Sequence, residues 1–527
     1  MSHHAAPQAN ALILDHRLSL SDAGRIARGE LAITLSDEAM ARCQRAHDRL
    51  GRIIAEDRHV YGITTGFGPL ANRLVGAEHG VLLQQNLVHH LASGVGPRLG
   101  HVQARAIVLA RLMSILQGVS GASAEAVNRL VAVLNSRLAP AIPAKGTVGA
   151  SGDLTPLAHM VLCLQGRGEF IAPDGTIVLA EEALRQIGYP PLDLARRDGL
   201  ALVNGTSAMT GIAALNALAA RRAIDWSVAL TAGLAEVLGA RVEAWHPAFA
   251  EVRPHPGQAE VAASLRARVS GSARVVQRPL AMRRLTGVGG MTERVAGQDA
   301  YTLRCAPQVI GAVADTAQFH DEVVARELQS ATDNPIFPGD DDANLALHGG
   351  NFMGQHVGLA SDALSSALVV LAGLCERQIA RLTDETLNRG LPAFLLRGPA
   401  GLNSGFMGAQ VTATALLAEM RATGAASIHS ISTNGANQDV VSMGTIAARL
   451  VADKLEMLFQ IQAILAMTVT QAIDLREIEG PDAFSPAAEA MRRVVRRISP
   501  ALTADRPLGR EIEAVAEALS RIDPPEA

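Results

Sequence analysis

The chain has few aromatic residues and few cysteines. Aromatic side chains make up 3% of its 527 residues, so Ala, Leu and Val must fill most of the interior. Such an interior favours close-packed helices. The four cysteines, Cys43, Cys163, Cys305 and Cys375, are widely spaced and form no C-x-x-C pair. This spacing argues against a disulfide framework and a zinc site, and it is typical of a protein in a reducing cytoplasm.

The chain also lacks long blocks of one charge sign. Its net charge is −4 and its isoelectric point is near 6.5, which argues against non-specific binding of nucleic acid. Residues 1–5 contain no basic region followed by an apolar run, so they do not predict a signal peptide. The apolar segment 455–473 is interrupted by glutamines and predicts a buried helix rather than a membrane span. We therefore expect a cytoplasmic protein with no membrane or nucleic-acid partner.

Glycine and proline often punctuate the first 200 residues, whereas three long spans after them contain no proline. Helical patterns cover residues 102–117 and 122–138, and residues 169–178 predict a hairpin around a Pro-Asp-Gly turn. Proline is absent between Pro191 and Pro247, between Pro338 and Pro392, and between Pro399 and Pro481, and these spans are rich in good helix formers.

This distribution of proline, glycine and helix-forming residues predicts a mainly α protein with three consecutive parts. Residues 1–203 form a mixed N-terminal domain that carries the chemistry, residues 204–480 form a long central helical bundle, and residues 481–527 form a C-terminal helical segment. The acidic cluster at residues 340–342 predicts a solvated loop tip.

The segment 146–158, GTVGASGDLTPLA, is the most informative part of the chain. Ser151 has no histidine beside it to act as a base, as a hydrolase triad requires. The small residues Gly149, Ala150 and Gly152 would let the Gly152 nitrogen bend back onto the Ala150 carbonyl carbon. Loss of water there and from Ser151 would leave an exocyclic methylidene, an electrophile made from the protein itself. An ordinary turn is the alternative.

Two of the three tyrosines lie in glycine-rich or polar segments. Tyr61 opens the sequence YGITTGFG, which ends at Gly68 and whose three glycines allow close backbone approach to a ligand. Tyr301 and Arg304 are three residues apart and would share one helix face, where a phenol and a guanidinium could meet one ligand. Arginine suits a two-point grip on a carboxylate. The alternatives are a packing tyrosine in a turn and an ordinary surface salt bridge.

Amide-rich loops interrupt the otherwise apolar sequence. Asn204, Asn334, Phe352, Asn434 and Gln438 all lie in such loops. Each loop alone is typical of a turn with satisfied side chains.

Together these segments, from about residue 60 to residue 440, resemble the histidine, phenylalanine and tyrosine ammonia-lyase family. In that family the Ala-Ser-Gly signature forms the 4-methylideneimidazol-5-one (MIO) group. The resemblance includes residues 428–432 and thins before residue 50 and after residue 475. The chain length is similar to that of bacterial tyrosine-specific members, and it has no room for the extra shielding segment of the plant phenylalanine enzymes.

The resemblance implies a role for each motif residue. Ala150, Ser151 and Gly152 would form the MIO, with no metal and no nucleotide, and the substrate amine would become a better leaving group on it. Tyr61 would remove the β-proton, and Asn204 would hydrogen-bond the MIO. The substrate-binding residues would be Gly68, Gln298, Arg304, Asn334, Phe352, Asn434 and Gln438, with Arg304 holding the carboxylate and Tyr301 beside it. The family is a homotetramer with each site built from three subunits, so Tyr61 and Tyr301 need not share a chain.

The dipeptide His90-Leu91 indicates the substrate. In the family the dipeptide at this place is His-Leu for tyrosine, Phe-Leu for phenylalanine and Ser-His for histidine, and histidine enzymes carry a glutamate near Asn434. An imidazole can pair with a phenol, and leaving that phenol unpaired would cost roughly 1–3 kcal/mol. We therefore expect deamination of L-tyrosine to trans-p-coumarate and ammonia, with some phenylalanine activity. The alternatives are a tyrosine 2,3-aminomutase, a phenylalanine or histidine ammonia-lyase, and an inactive helical scaffold.

Overall fold

The computed structural model describes residues 11–56, 58–277, 298–339, 345–479 and 483–526. The predicted loop tip at residues 340–342 and the N-terminal residues 1–5 lie outside the described residues. Within them the chain is mainly α, with eighteen α-helices and seven short strands, which confirms the predicted fold class.

The chain divides into two compact units, and each is assembled from three separate stretches. The first comprises Met1–Leu218, His320–Asp362 and Ala425–Val451, and the second comprises Ala219–Phe319, Ala363–Gly424 and Ala452–Ala527. The division into consecutive parts at residues 203 and 480 stays a prediction.

The first unit contains eight complete helices and all the described strands. The helices are α1 (Leu20–Ala27), α2 (Asp37–Ala55), α3 (Gly80–Leu91), α4 (His101–Ile115), α5 (Ala124–Asn135), α6 (Leu154–Leu164), α7 (Ala180–Gln186) and α8 (Asp198–Val203). Serine side chains accept from the free amides at the start of several of them: Ser36 caps α2 and Ser123 caps α5. Helices α4 and α5 confirm the two helical patterns predicted in this region.

The strands form three small sheets. Strands β1 (Leu12–Leu14) and β2 (Ile33–Leu35) are parallel, and β3 (Val95–Arg98) pairs antiparallel with β5 (Pro143–Lys145). The third sheet has the order β4 (Ala139–Pro140), β6 (Glu169–Ile171), β7 (Ile177–Leu179), with antiparallel pairing throughout. Strands β6 and β7 confirm the predicted hairpin, and the Asp174 carboxylate accepts from the Thr176 amide in its turn, at 2.9 Å.

Four long helices contribute residues to both units, and six shorter helices belong to the second. The long helices are α9 (Ser207–Val237), α13 (Ala306–Leu328), α14 (Gln355–Thr383) and α16 (Gly444–Glu479). The shorter ones are α10 (Ala248–Glu251), α11 (Pro256–Arg268), α12 (Tyr301–Arg304), α15 (Met407–Ala422), α17 (Pro486–Arg496) and α18 (Gly509–Arg521). Alanine, leucine and valine dominate the buried positions, as the low aromatic content predicts.

Both tryptophans of the chain are buried in the second unit. Trp226 is 0% exposed and Trp245 is 1% exposed. Each indole N–H donates to a backbone carbonyl, that of Ile522 at 2.9 Å and that of Leu303 at 3.1 Å. A buried indole needs such a partner, so both rings are fixed in place.

Among the described residues, two helices, α14 and α16, are long and apolar enough to cross a membrane by length and composition alone. The most apolar part of α16 is 94% buried inside the chain. The amide nitrogens of two of its glutamines are hydrogen-bonded there: Gln462 donates to the Ala223 carbonyl at 2.6 Å, and Gln471 donates to the Leu502 carbonyl at 2.9 Å. The helix is therefore buried in protein, as its sequence predicts.

Candidate active site

The first unit contains a cavity of about 510 Å³ that collects most of the predicted site residues. Its lining includes ten of them: Tyr61, Gly68, His90, Leu91, Ser151, Asn204, Asn334, Phe352, Asn434 and Gln438. These side chains come from helix α3 and from loops that lie far apart in the sequence. A concave, mostly apolar cavity with a few convergent polar groups is the usual form of a small-molecule site.

A second cavity, of about 560 Å³, lies in the second unit. Glycine, alanine, leucine and isoleucine side chains form much of its lining, together with the charged residues Asp505, Arg506 and Glu513. Arg506 is paired with Glu511, and Asp505 accepts from the amides of Ser404 and Gly405. Since Asp505 and Arg506 have structural partners and the predicted site residues line the other cavity, we place the chemistry in the smaller one.

The Ala150-Ser151-Gly152 loop has a backbone that ordinary residues rarely adopt. Ser151 has a φ of 55°, and Gly149 and Gly152 have φ of 75° and 78°. A side chain at Gly152 would collide with the backbone of Gly205, and one at Gly149 would collide with the Ser442 hydroxyl. Glycine is therefore required at both positions, and the loop is tightly confined.

Two amide side chains hold Ser151 within this loop. The Asn204 amide, 4% exposed, donates to the Ser151 carbonyl at 3.0 Å. The Gln438 amide donates to the Ser151 hydroxyl at 2.9 Å, and its own carbonyl accepts from Asn434 at 2.6 Å. The amide-rich loops are thus more than turns, because their side chains converge on the serine.

Three helices begin around this loop. Helix α6 starts at Leu154, directly after it, and α9 starts at Ser207, two residues beyond Gly205, whose carbonyl accepts from the Asp153 amide at 2.7 Å. Helix α16 starts at Gly444, next to Met443, whose amide donates to the Val148 carbonyl at 2.9 Å. Helix N-termini carry partial positive charge, so this geometry favours electron density placed at the loop.

Asp153 lies behind the loop and is fully buried. Its carboxylate accepts from the Met209 amide in the first turn of α9, at 2.8 Å, and from the Thr445 hydroxyl in the first turn of α16. Burial raises the pKa of this carboxyl to about 6, against these hydrogen bonds, which favour the charged form. Asp153 therefore joins two of the helix starts, a link that the sequence did not predict.

The Tyr61 loop presents its phenol to the same cavity. The Gly68 amide donates to the Tyr61 hydroxyl oxygen at 2.9 Å. The ring packs edge-on against Phe67, with centroids 6.2 Å apart. These two contacts fix the position of the phenol oxygen at the cavity wall.

Asn334 is held by a buried ion pair. Arg197 and Asp333 are both 0% exposed at their side chains and form two bonds of 2.9 Å each. The Arg197 guanidinium also donates to the Asn334 carbonyl at 2.8 Å, while the Asn334 amide donates to the Asn204 side chain at 2.8 Å. Breaking such a pair would leave an uncompensated charge in the core, so it fixes the position of this loop.

The adjacent histidines of α3 have different surroundings. The Nδ1 of His90 is 3.0 Å from the Asn86 carbonyl, and a carbonyl can only accept, so this nitrogen carries the proton. Its Nε2 is then a free acceptor when the ring is neutral. His89 pairs with Arg167 at 2.9 Å and is not among the described residues that line the cavity.

Three predicted residues, Gln298, Tyr301 and Arg304, belong to the second unit and do not line the described cavity. Tyr301 is 69% exposed, and the Arg304 guanidinium lies 4.7 Å from the centroid of its ring. The two side chains do share a helix face, as their spacing predicts, but within the chain they stack on each other.

Sequence reasoning gave no role to several lining residues. Phe67, Pro69, Leu70, Ala71, Leu87, Leu154, Leu200 and Asn437 also line the cavity. Leu87 lies three residues before His90 on α3, so helical spacing from His90 could have identified it. The rest required the tertiary structure. Among the described residues, no three histidine, cysteine or acidic side chains are grouped as a metal site requires.

The chain matches known proteins over nearly its whole length. The family described as aromatic amino acid lyase matches residues 18–497. A tyrosine ammonia-lyase of Cereibacter sphaeroides is 62% identical over 98% of this chain and 99% of the relative. A MIO-dependent tyrosine 2,3-aminomutase of Streptomyces globisporus is 40% identical over 96% of this chain and 94% of the relative. The crystal structure of tyrosine aminomutase from the same organism matches with a TM-score of 0.92 and 38% identity, covering 97% of each chain.

Proposed function

The chain belongs to the aromatic amino acid lyase family and is a carbon–nitrogen lyase, and from this membership we propose that it is a cytoplasmic tyrosine ammonia-lyase. It converts L-tyrosine to trans-p-coumarate and ammonia, with weaker activity on phenylalanine. The observation that carries the proposal is Ser151, held in a left-handed backbone by Asn204 and Gln438 at the wall of a cavity that Tyr61 and His90 also line.

The residues present fit an MIO group made from Ala150, Ser151 and Gly152. Gly149 and Gly152 have the positive φ values that glycine allows next to Ser151, and Asn204 is placed to hold an oxygen of the loop. The group supplies an electrophilic carbon that draws electron density from the substrate and makes its amine a better leaving group. The helix starts at Leu154, Ser207 and Gly444 would stabilise that density through the partial positive charge of the helix N-termini.

Tyr61 removes the β-proton of the substrate. The Gly68 amide holds the phenol oxygen and Phe67 packs against the ring, so the base is fixed in position. General bases contribute typically 10²–10⁴-fold to rate.

His90 selects the substrate ring. Because the Asn86 carbonyl occupies Nδ1, the imidazole offers Nε2 as an acceptor, and the phenol of tyrosine donates to it. Leu87 and Leu91 provide apolar surface for the ring beside it.

Arg304 binds the substrate carboxylate, with Tyr301 and Gln298 beside it, in the site of another subunit of a homotetramer. The exposure of Tyr301 supports this arrangement, because the phenol is free to enter a neighbouring site. Co-expression of Tyr61→Phe and Arg304→Ala tests it. Each variant alone should be nearly inactive, and randomly mixed tetramers should regain about a quarter of wild-type activity if the two residues come from different chains. Activity that stays at the level of the single variants would show that one chain supplies both.

Purified protein should be assayed with tyrosine, phenylalanine and histidine in parallel by ultraviolet absorbance. We expect p-coumarate from tyrosine at the highest kcat/KM. In the same preparation, peptide mass spectrometry should show the segment around Ser151 lighter by two water molecules. Ser151→Ala should retain the fold and lose nearly all turnover. An unmodified Ser151 in a fully active enzyme would refute the mechanism.

A tyrosine 2,3-aminomutase is the second candidate, favoured by the 40% identity to such an enzyme. Both activities use the same residues and differ in whether ammonia is returned to the bound product. Chromatography of the reaction separates them, since the aminomutase produces β-tyrosine beside coumarate. We expect coumarate alone.

A further inference from the structure

Gln84 is a fully buried amide in the middle of helix α3, two turns before His90. A buried amide costs free energy unless both of its ends are hydrogen-bonded. Its side-chain nitrogen donates to the Gly62 carbonyl at 2.9 Å, and its oxygen accepts from the Leu200 amide at 2.8 Å. One side chain thus bridges two segments that lie about 140 residues apart in sequence.

The two partners of Gln84 lead directly to the reacting groups. Gly62 directly follows Tyr61. Leu200 lies in α8, and the residue after this helix, Asn204, donates to the Ser151 carbonyl. The approach is close on both sides. A side chain at Gly62 would press against Leu200 at 2.7 Å, and one at Gly199 would press against Gln84 at about 3 Å.

Inside the loop, a second buried side chain completes the anchoring. The Thr65 hydroxyl, 0% exposed, accepts from the Gly62 amide at 3.0 Å. The Gly62 peptide is therefore held on its N–H by Thr65 and on its carbonyl by Gln84. Gly62 has a φ of 69°, and these two bonds fix the residue that directly follows Tyr61 in this left-handed conformation.

Resting on the proposed role of Tyr61 as the base, we propose that Gln84 is a positioning residue that sets the distance between the Tyr61 phenol and the Ser151 loop. It touches neither substrate nor the reacting atoms. It acts by tying the Tyr61 loop and α8 to helix α3, so that base, Asn204 and His90 share one rigid support. A misplacement of about 1 Å at a reacting group can cost about a hundredfold in rate.

Gln84→Glu and Gln84→Met test the proposal, with Gln85→Glu as the matched control on the next position of α3. Ionised glutamate keeps the acceptor for Leu200 and loses the donor to Gly62, whereas methionine has similar length, loses both bonds at any pH and brings no charge into the core. Gln85 is only half-buried, and among the described residues its side chain does not hydrogen-bond either segment. All four proteins are assayed with tyrosine, and the dehydrated fraction of Ser151 is measured by mass spectrometry.

We expect both Gln84 variants to lower kcat by about tenfold to a hundredfold, with KM within about twofold of wild type and the dehydrated fraction unchanged. Gln85→Glu should match wild type. Wild-type kcat in a soluble Gln84→Met variant would overturn the proposal. So would a loss of activity that follows a loss of dehydrated Ser151, because Gln84 would then act on maturation of the loop. A wild-type protein without tyrosine turnover would instead refute the proposed function.

Discussion

Replacing His90 with phenylalanine should reverse the substrate preference. The variant removes the Nε2 acceptor that the Asn86 carbonyl leaves free. The neighbouring lining residues of α3, Leu87 and Leu91, have no hydrogen-bonding group on their side chains, so the helix offers no substitute for the imidazole. The phenol of tyrosine would then be buried without a partner.

The size of the effect follows from two terms. An unpaired buried hydroxyl costs roughly 1–3 kcal/mol, which lowers kcat/KM for tyrosine by about fivefold to about 150-fold. A phenyl ring in place of the imidazole adds apolar contact for phenylalanine worth roughly 1 kcal/mol, or about fivefold. The ratio of the two kcat/KM values should therefore move by roughly two orders of magnitude toward phenylalanine.

The assay compares both enzymes with both substrates, which forms a double cycle that isolates the pairing of imidazole and phenol. His89→Phe is the control, because His89 bonds Arg167 instead, and it should leave the ratio unchanged. A His90→Phe enzyme that still prefers tyrosine would show that another group binds the phenol, and polar residues nearer Phe352 would be examined first.

Three further outcomes follow from the geometry. Tyr61→Phe removes one hydroxyl, so kcat should fall by about 10²-fold or more while competitive binding of p-coumarate persists; near wild-type turnover would exclude Tyr61 as the base. Arg304→Lys keeps the charge and loses the fork, so steady-state kinetics should show mainly a higher KM, by about tenfold, and an unchanged KM would contradict the carboxylate grip. Asp153 has a pKa raised by burial from 3.8 to about 6, so its contribution to folding stability is full below about pH 3.8 and is lost, by up to ~3 kcal/mol, as pH rises through about 6. The Tm of Asp153→Asn relative to wild type should accordingly increase from pH 4 to pH 7, and a decrease would show that its hydrogen bonds outweigh burial.

Local sequence was sufficient where the chemistry depends on residue type and spacing. The small residues around Ser151 predicted an unusual backbone, and the positive φ values there agree with it. The glycines between Tyr61 and Gly68 predicted a loop open to close backbone approach, and both residues line the cavity. Helix patterns and the hairpin were predictable for the same reason, since they depend on neighbours within a few residues.

Contacts between residues that are distant in sequence could not be predicted from such local patterns. Gln84 and Leu200 gave no local signal, because a glutamine within a helix is usually exposed and its burial depends on Gly62. Tyr301 and Arg304 lie on one helix face, which allows them either to stack on each other or to bind one carboxylate together. Their spacing alone therefore does not distinguish the observed stacking from the predicted carboxylate binding. The division of the chain into two units was not predictable either. The sequence of a long helix such as α9 is continuous, although its residues are divided between the two units.

The placement of the two tryptophans makes the fluorescence of this protein selective. Trp226 and Trp245 both lie in the second unit, whereas the cavity of the candidate site lies in the first. An indole emission spectrum therefore reports on one body and is insensitive to local loosening of the other. Turnover and tryptophan emission should therefore be measured against temperature in the same sample. The difference between the midpoint temperatures of the two curves would measure how independently the two units unfold.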